Sequence, residues 1–495
     1  EISKPEGYSE EAVNEILDDT EAVQKYSTAP LYPGSYGATT SADETVKKPT
    51  IIYVMDESYW DVSELEQYGF QFDTDVSANL HALQQTSASG RAYSPSFGGG
   101  TCDVEFEALT GFSTEFLPTG SKPFQQHVTK PMFSIASYLK EQGYATQAIH
   151  GYYAKFWSRN TAYPYLGIDE FIALEDFVNP EKKRGVDWSG GLVTDAEMGR
   201  RVIEEWENRD PEKPLFMHVV TMQNHTTYNE KNYPEEELVG IQSAPAGISG
   251  HTLGALRDFA TGVREADAML GALTDYFSGV EEPTILVFWG DHYNPIGSGY
   301  EVYTATGYAS GADSESPELH QMPLLIWSNY WEGQVDLGTV AAYEIGPVMM
   351  ELYDLEMPVM FGHLANQLSS YRSRTRGVTV QPDGTVEISV TSQTAGVSAV
   401  TATINSSSQS QNVTFIADVR TAKIAELVVS QDNAVADGAT ANTLRVRVTD
   451  AFGNTLAGQT VSVMAGNGAT VAPTVITEPD GTVEISVTSQ TAGTS

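Results

Sequence analysis

The chain has 495 residues, 41% of them hydrophobic and 19% charged, a globular composition with length for roughly two to four domains. Acidic side chains outnumber basic ones 66 to 27, for a net charge of -39, which excludes non-specific nucleic-acid binding and polybasic docking on anionic lipid. The single cysteine, Cys102, excludes an intrachain disulfide framework and cysteine-based zinc modules.

Residues 1–48 form an acidic lead-in, with a short helix expected over Glu10 to Leu17 and a Pro/Gly/Ser/Thr loop after it. The polar opening does not read as a signal peptide, and no apolar run approaches the length of a membrane span. From residue 49 to 376 strands alternate with helices. Thr50-Ile-Ile-Tyr-Val-Met55, Pro214 to Val220, Thr284-Ile-Leu-Val-Phe-Trp289 and Pro323-Leu-Leu-Ile-Trp327 are near-continuous apolar runs of strand length. Met132 to Gln142, Asp195 to Asn208 and Leu253 to Phe277 carry helical spacing. Such alternation predicts an α/β domain, its mainly parallel sheet covered by helices on both faces.

Composition changes near residue 376. Beyond it lie Val, Thr, Ser, Ala and Gly in period-2 runs, such as Thr385-Val-Glu-Ile-Ser-Val390 and Thr443-Leu-Arg-Val-Arg-Val448, separated by turn residues. The segment Pro382 to Gly396 recurs unchanged as Pro479 to Gly493, a period of 97, about one immunoglobulin-like domain. Residues 377–495 are therefore expected to be an all-β, immunoglobulin-like sandwich region built of partial repeats.

In an open α/β sheet, ligands gather at the carboxyl ends of the strands. Those ends carry Asp56-Glu57, Gln223-Asn-His225, Gly290-Asp-His292 and His150-Gly151. Gly98-Gly-Gly-Thr-Cys-Asp-Val-Glu-Phe106 adds a glycine run before a hydroxyl residue. A helix starting at Thr101 would aim its first N–H groups at an oxyanion. The lysine and spacing of a P-loop are missing.

Glu57 in Val-Met-Asp-Glu-Ser, Thr101 in the glycine-led segment, Phe156-Trp-Ser-Arg159 after His150-Gly151, Asn224-His225 and Gly290-Asp-His-Tyr293 stand in one order. That pattern resembles the extracellular catalytic domain of lipoteichoic acid synthases and related phosphoglycerol transferases, the sulfatase-like branch of the alkaline phosphatase superfamily. The resemblance implies Thr101 as nucleophile and metal ligand, with Glu57, Asp291 and His292 completing the ligand set. It implies that His225, His150, Trp157 and Arg159 line the phosphoglycerol site, Arg159 offering a planar fork to phosphate and His225 protonating the leaving alkoxide. One ion is implied; three oxygen donors and an imidazole suit Mn²⁺, with Mg²⁺ or Zn²⁺ less favoured.

The implied reaction moves glycerol phosphate from phosphatidylglycerol through a threonine-bound intermediate to glycerol or a growing polyglycerolphosphate chain. It would take place at the outer face of a bacterial cytoplasmic membrane, with a membrane anchor expected ahead of residue 1. Two departures qualify the resemblance. Neither Cys102 nor Thr101 has the Pro at +2 and Arg at +4 that formylglycine formation needs, which excludes a formylglycine sulfatase. Tyr152 stands where relatives of this type often have an acidic residue, which leaves the acceptor open. Rival readings are a phosphoethanolamine transferase or phosphodiesterase of the same superfamily, or an adhesin-like surface protein, since the tail resembles intimin and invasin repeats. His218, inside a strand, and His81, His127, His251, His320 and His363 are expected to be structural. In the tail, strands from 397–417 are expected to complete the sheets of 422–495, with the Thr385 to Val390 strand redundant.

Overall fold

A computed structural model describes residues 48–183, 191–309, 316–362, 364, 394–404 and 407–494, with isolated positions at 9, 11–13, 15 and 392. Positions 11–13 and 15, within the helix expected over Glu10 to Leu17, are helical; His363 and the Thr385 to Val390 strand lie outside the described residues. The chain divides into two compact units, residues 1–377 and 378–495.

In the first unit, β1 (Thr50–Asp56), β2 (Ala88–Tyr93), β3 (Ala145–His150), β4 (Glu170–Ile172), β5 (Leu215–Val220), β6 (Thr284–Gly290), β7 (Gln321–Ser328) and β8 (Val335–Ala341) form one sheet. Their order is β8-β2-β7-β6-β1-β5-β3-β4. The five strands from β6 to β4 are mutually parallel, and β7 runs antiparallel to both of its neighbours. Strands β1, β5 and β6 are buried along their whole length, which is why their sequences read as apolar runs without alternation.

Alternate residues of these strands feed two separate cores. Ile52, Val54, Met217, Val219, Leu286 and Phe288 face one side; Ile51, Tyr53, Met55, Phe216, Val287 and Trp289 face the other. The helices that cover them include α1 (Thr101–Thr110), α2 (Ile135–Glu141), α3 (Arg159–Tyr165), α4 (Asp195–Asn208), α5 (Gly250–Ser278) and α6 (Ile345–Leu352). Helices α4 and α5 supply Val202, Leu256, Phe259 and Leu273 to the first core. Leu109, Leu139, Tyr163 and Met349 from α1, α2, α3 and α6 fill the second. Burying each such side chain stabilises the fold by about 1.5–3 kcal/mol relative to exposure. Hydroxyl caps set the helix starts, Thr194 accepting from the Glu197 N–H and Ser249 from the Thr252 N–H. No helix among the described residues is long and apolar enough to cross a membrane.

The second unit corrects one expectation. Strands β9 (Gly396–Ile404) and β10 (Ser407–Phe415) pair in register along their whole length and join no other sheet among the described residues. The remaining strands are β11 (Lys423–Gln431), β12 (Asn442–Thr449), β13 (Thr460–Ser462), β14 (Thr470–Val471), β15 (Thr474–Ile476) and β16 (Thr482–Thr488). They form a four-stranded sheet β11-β12-β16-β14 and a two-stranded sheet β13-β15, both antiparallel, around Val446, Val448, Leu456, Val461 and Ile485. Ladder pairing is thus confined within each fragment, and strands from 397–417 do not complete the sheets of 422–495. A Ser- and Gln-rich β10 has little apolar surface to gain by joining them. The connection is made by the turn at Asp450–Asn454: Asp450 accepts from the Asp418 N–H at 3.1 Å and Asn454 from the Ala395 N–H at 2.8 Å.

His81, expected to be structural, has a specific structural role. Its Nε2 lies 2.7 Å from Asp61 Oδ2 and its Nδ1 3.0 Å from Asp75, so both ring nitrogens donate and the imidazolium is favoured. The Asp61 hydrogen bond, aided by Asp75 and opposed by burial, raises the His81 pKa to about 9. A raised folded-state pKa gives stability that is full below the unfolded value, about 6.5, and is lost as pH rises through about 9. His81→Gln should therefore cost about 1 kcal/mol at pH 6, allowing for solvent screening, and nothing measurable well above pH 9. Urea melts across that range check it.

Candidate active site

Because β6, β1, β5 and β3 are neighbours in the parallel part of the sheet, their carboxyl ends bring four sequence motifs to one edge. Asp56 pairs in register with Gly290, so Glu57 and Asp291 emerge side by side. Glu57, Asp291 and His292 are at most 2% exposed, and one ligand atom from each lies within 4.8 Å of the others. His292 Nε2 stands 3.2 Å from Asp291 Oδ2 and 3.9 Å from Glu57 Oε1. With Nδ1 donating to the Tyr293 carbonyl at 3.2 Å, the lone pair on Nε2 faces both carboxylates. Asp291 Oδ1 accepts from the Ser58 and His292 N–H groups at 2.7 and 2.8 Å, while Oδ2 has no hydrogen-bond partner among the described residues. Ser58 Oγ donates to Glu57 Oε1 at 2.7 Å and accepts from Asn294 Nδ2. Burial, and then the charge of Asp291, raises Glu57 to about 8. Converging acceptors with an unpartnered buried oxygen fit a divalent cation.

Thr101 is the first residue of α1 and is 6% exposed. Gly98, Gly99 and Gly100 lead into it with φ of +70°, +134° and +92°, a left-handed path that side chains strain to follow. This turn is tied to the ligand loop: the Gly98 N–H donates to the Tyr293 carbonyl at 2.7 Å, and Ser94 Oγ to the Asp291 carbonyl at 2.5 Å.

Arg159 requires a correction. Its fork does not face an open phosphate site. The side chain is fully buried, with Nε 2.9 Å and Nη2 2.5 Å from Glu105 Oε2. Glu105, one turn along α1 from Thr101, also accepts from the Tyr163 hydroxyl at 2.5 Å and from His218 Nε2 at 3.3 Å. Burial alone would raise the Glu105 carboxyl; the Arg159 charge overrides it and carries the group down to about 2. His218 is thereby a buried structural partner, as its place inside a strand suggested. Arg159 Nη1 donates to His150 Nε2 at 3.0 Å, and His150 Nδ1 donates to the Val220 carbonyl at 3.0 Å. Burial first and Arg159 second lower His150 to about 3, so its imidazole is neutral with a fixed tautomer.

Trp157 and Ser158 occupy left-handed backbone at φ +56° and +62°, a cost of order 1 kcal/mol each that tends to persist at functional sites. Trp157 is partly buried, beside Phe156, whose ring lies parallel to that of His150. His225, partly exposed, follows β5 on the loop after Thr221, its Nδ1 2.8 Å from the Thr226 carbonyl. Thr221 Oγ1 accepts from the Glu57 N–H at 2.9 Å and so joins that loop to the ligand cluster.

The sulfatase family profile matches residues 49–355, and a bacterial Ig-like domain (group 1) profile matches residues 424–495. The chain belongs to the sulfatase family. A cyclic beta-1,2-glucan modification protein of Rhizobium meliloti, itself named as putative, is 30% identical over 390 residues, covering 77% of this chain and 55% of the relative. The capsular polysaccharide biosynthesis protein RkpI of the same organism is 26% identical, with 49% and 41% covered. The chain thus spans about half the length of the curated relatives it matches. Among solved structures, the Streptococcus pyogenes phosphoglycerol transferase GacH in complex with sn-glycerol-1-phosphate superposes with TM-score 0.58 at 21% identity, over 74% of this chain and 88% of that one. The Listeria monocytogenes lipoteichoic acid synthase LtaP superposes with TM-score 0.51 at 16% identity, covering 71% and 81%. At these identities the likeness is one of fold.

Within this sulfatase-family site, Cys102 is fully buried and burial pushes its thiol up, in keeping with an inert side chain. Sequence reasoning placed Asp56 at a strand end without giving it a role and missed Asp195; both are fully buried with carboxylate oxygens that have no hydrogen-bond partner in good geometry among the described residues. Burial, and then neighbouring acids (Asp195 for Asp56, Glu265 for Asp195), holds both well above the usual carboxylate range. It also missed Glu105, which stands between Val104 and Phe106 and is hidden in the sequence by the neighbouring acids Asp103 and Glu107. Removing one member of a buried pair strands the other charge. Glu105→Ala should cost about 3–5 kcal/mol in urea melts, and Glu105→Leu combined with Arg159→Met should recover most of that stability.

Proposed function

We propose that this chain is a metal-dependent phosphoglycerol transferase, acting on phosphatidylglycerol at the outer face of a bacterial cytoplasmic membrane. The observation that carries the reading is the buried convergence of Glu57, Asp291 and His292 beside the glycine turn that delivers Thr101. A degenerate scaffold supporting an adhesin has no use for buried acceptors that repel one another without a cation. Glu57, Thr101, Asp291 and His292 would hold one divalent ion, Mn²⁺ suiting the donors best, which supplies charge neutralisation and a lowered hydroxyl pKa.

In the first step the Thr101 hydroxyl, acidified in the site, gives up its proton to solvent and its oxygen bonds to phosphorus. The bond from phosphorus to diacylglycerol breaks, and the departing oxygen takes a proton from His225. In the second step an acceptor hydroxyl, losing its proton to His225, attacks phosphorus, the bond from phosphorus to the Thr101 oxygen breaks, and that oxygen takes back a proton from solvent. The Trp157 wall orients the glycerol, while His150, kept neutral with both ring nitrogens committed, and Arg159 bonded to it act as positioning residues. For the acceptor we favour a saccharide hydroxyl over the polyglycerolphosphate suggested by the lipoteichoic acid synthase resemblance. The similar Rhizobium proteins are named for glucan modification and capsular polysaccharide biosynthesis, and a chain of charge -39 repels a polyanion.

The test is fluorescent phosphatidylglycerol in neutral mixed micelles with Mn²⁺, the products being separated by chromatography. The chain should release diacylglycerol, chelation should stop it, and Thr101→Ala should lower the rate at least ~10³-fold with an unchanged melting temperature. Undiminished release by Thr101→Ala would sink the covalent mechanism.

A further inference from the structure

We propose that Lys122 is the anion anchor of the site, its ammonium binding the phosphate of the substrate where Arg159 was expected to. This deepens the head-group transfer reading and rests on it. The guanidinium fork of Arg159 is committed to Glu105, and its remaining nitrogen faces His150. An incoming phosphodiester therefore needs another cation, the more so because the site lies among buried carboxylates in a chain of net charge -39.

Lys122 stands at the required place. A β-carbon added to Gly100 would lie 2.9 Å from Lys122 Nζ, 3.0 Å from Asp103 Oδ2 and 3.0 Å from Ser96 Oγ, so the ammonium packs against the residue immediately before Thr101. Asp103, in the first turn of α1, holds Nζ at 2.5 Å, and the Trp157 ring centroid is 5.4 Å from it. The Lys122 N–H donates to Gln126 Oε1 at 2.8 Å, which fixes the base of the side chain. The side chain is 29% exposed, open enough to meet a ligand and pinned enough to lose little freedom in doing so. One of its three N–H donors serves Asp103. The others are left for an oxyanion at the start of α1, where backbone N–H groups and the helix dipole favour negative charge. The same ammonium bridges the nucleophile turn and the Trp157 wall, so it would register the phosphate relative to both. Sequence reading passed over it because a lysine in the surface loop Pro118-Thr-Gly-Ser-Lys122 carries no motif.

The ligand class is a phosphate ester, from a lipid head group or free in solution. The experiment titrates the Mn²⁺-loaded chain with sn-glycerol 1-phosphate and separately with inorganic phosphate by calorimetry, comparing Lys122→Met and Lys122→Arg. Lys122→Met should weaken both ligands about tenfold, the scale of one charge-assisted hydrogen bond, and Lys122→Arg should stay within about threefold of the parent. Melting temperatures should match, since the pair is partly solvated. In turnover, Lys122→Met should raise KM about tenfold and change kcat by less than about threefold. Parent-like binding of both ligands by a folded Lys122→Met would overturn the assignment and leave the head-group reading intact. Weakened inorganic phosphate binding, in a parent that binds no glycerol phosphate, would support Lys122 and overturn the head-group reading. A parent that binds neither ligand would overturn both.

Discussion

Buried negative charge without a built-in counter-charge is the constraint around which the catalytic unit is arranged. Glu57 and Asp291 follow adjacent parallel strands whose register, Asp56 opposite Gly290, leaves them no choice but proximity. His292 adds a lone pair in place of a donor, and Ser58, itself held by Asn294, donates to both carboxylates. In a low-dielectric interior such a set is costly unless a cation or protons balance it. The elevated Glu57 carboxyl expresses that cost.

A second buried assembly converts this electrostatic site into a shaped one. Glu105 ties the helix that begins at Thr101 to Arg159 and Tyr163 on α3, and through Arg159 to His150 at the end of β3. Helix α1, helix α3 and the sheet edge are thus joined by charge-assisted hydrogen bonds rather than by loose packing. One consequence is chemical: His150 is neutral, its Nε2 accepting from Arg159, and the proposed reaction therefore assigns proton transfer to the partly exposed His225. Another is steric, since Arg159 is fully buried against Glu105 and His150 and presents no open fork.

Much of this was legible in the sequence, and the limits have physical causes. Fully buried parallel strands betray themselves by unbroken apolar runs, and Thr50–Asp56, Leu215–Val220 and Thr284–Gly290 appear within a residue of where those runs place them. Helix α1 begins at Thr101 as the glycine run requires. Strand-end position brought Asp56-Glu57 and Gly290-Asp-His292 to one edge, and the family resemblance singled out Glu57, Asp291 and His292, which the structure brings together. The partner of Arg159 did not, because whether a guanidinium meets a ligand or a buried glutamate depends on packing between α1 and α3. Nor did the tail arrangement: an exact repeat of Pro382 to Gly396 reveals a modular period but not which strands share a ladder. There the self-satisfied β9–β10 hairpin won over sheet completion. Lys122 and Glu105 were invisible for the opposite reason to the strands, since single charged residues in a loop or a helix have no periodic signature.

The central claim is that Thr101 carries the transferred group. Intact-protein and peptide mass spectrometry of the Mn²⁺-loaded chain, acid-quenched during turnover of phosphatidylglycerol without an acceptor, tests it most directly. The account predicts a mass increase of one glycerophosphoryl group on the peptide containing Thr101, disappearing when an acceptor saccharide is added. Release of diacylglycerol with every peptide of the chain unmodified, or with the group on another residue, would contradict it.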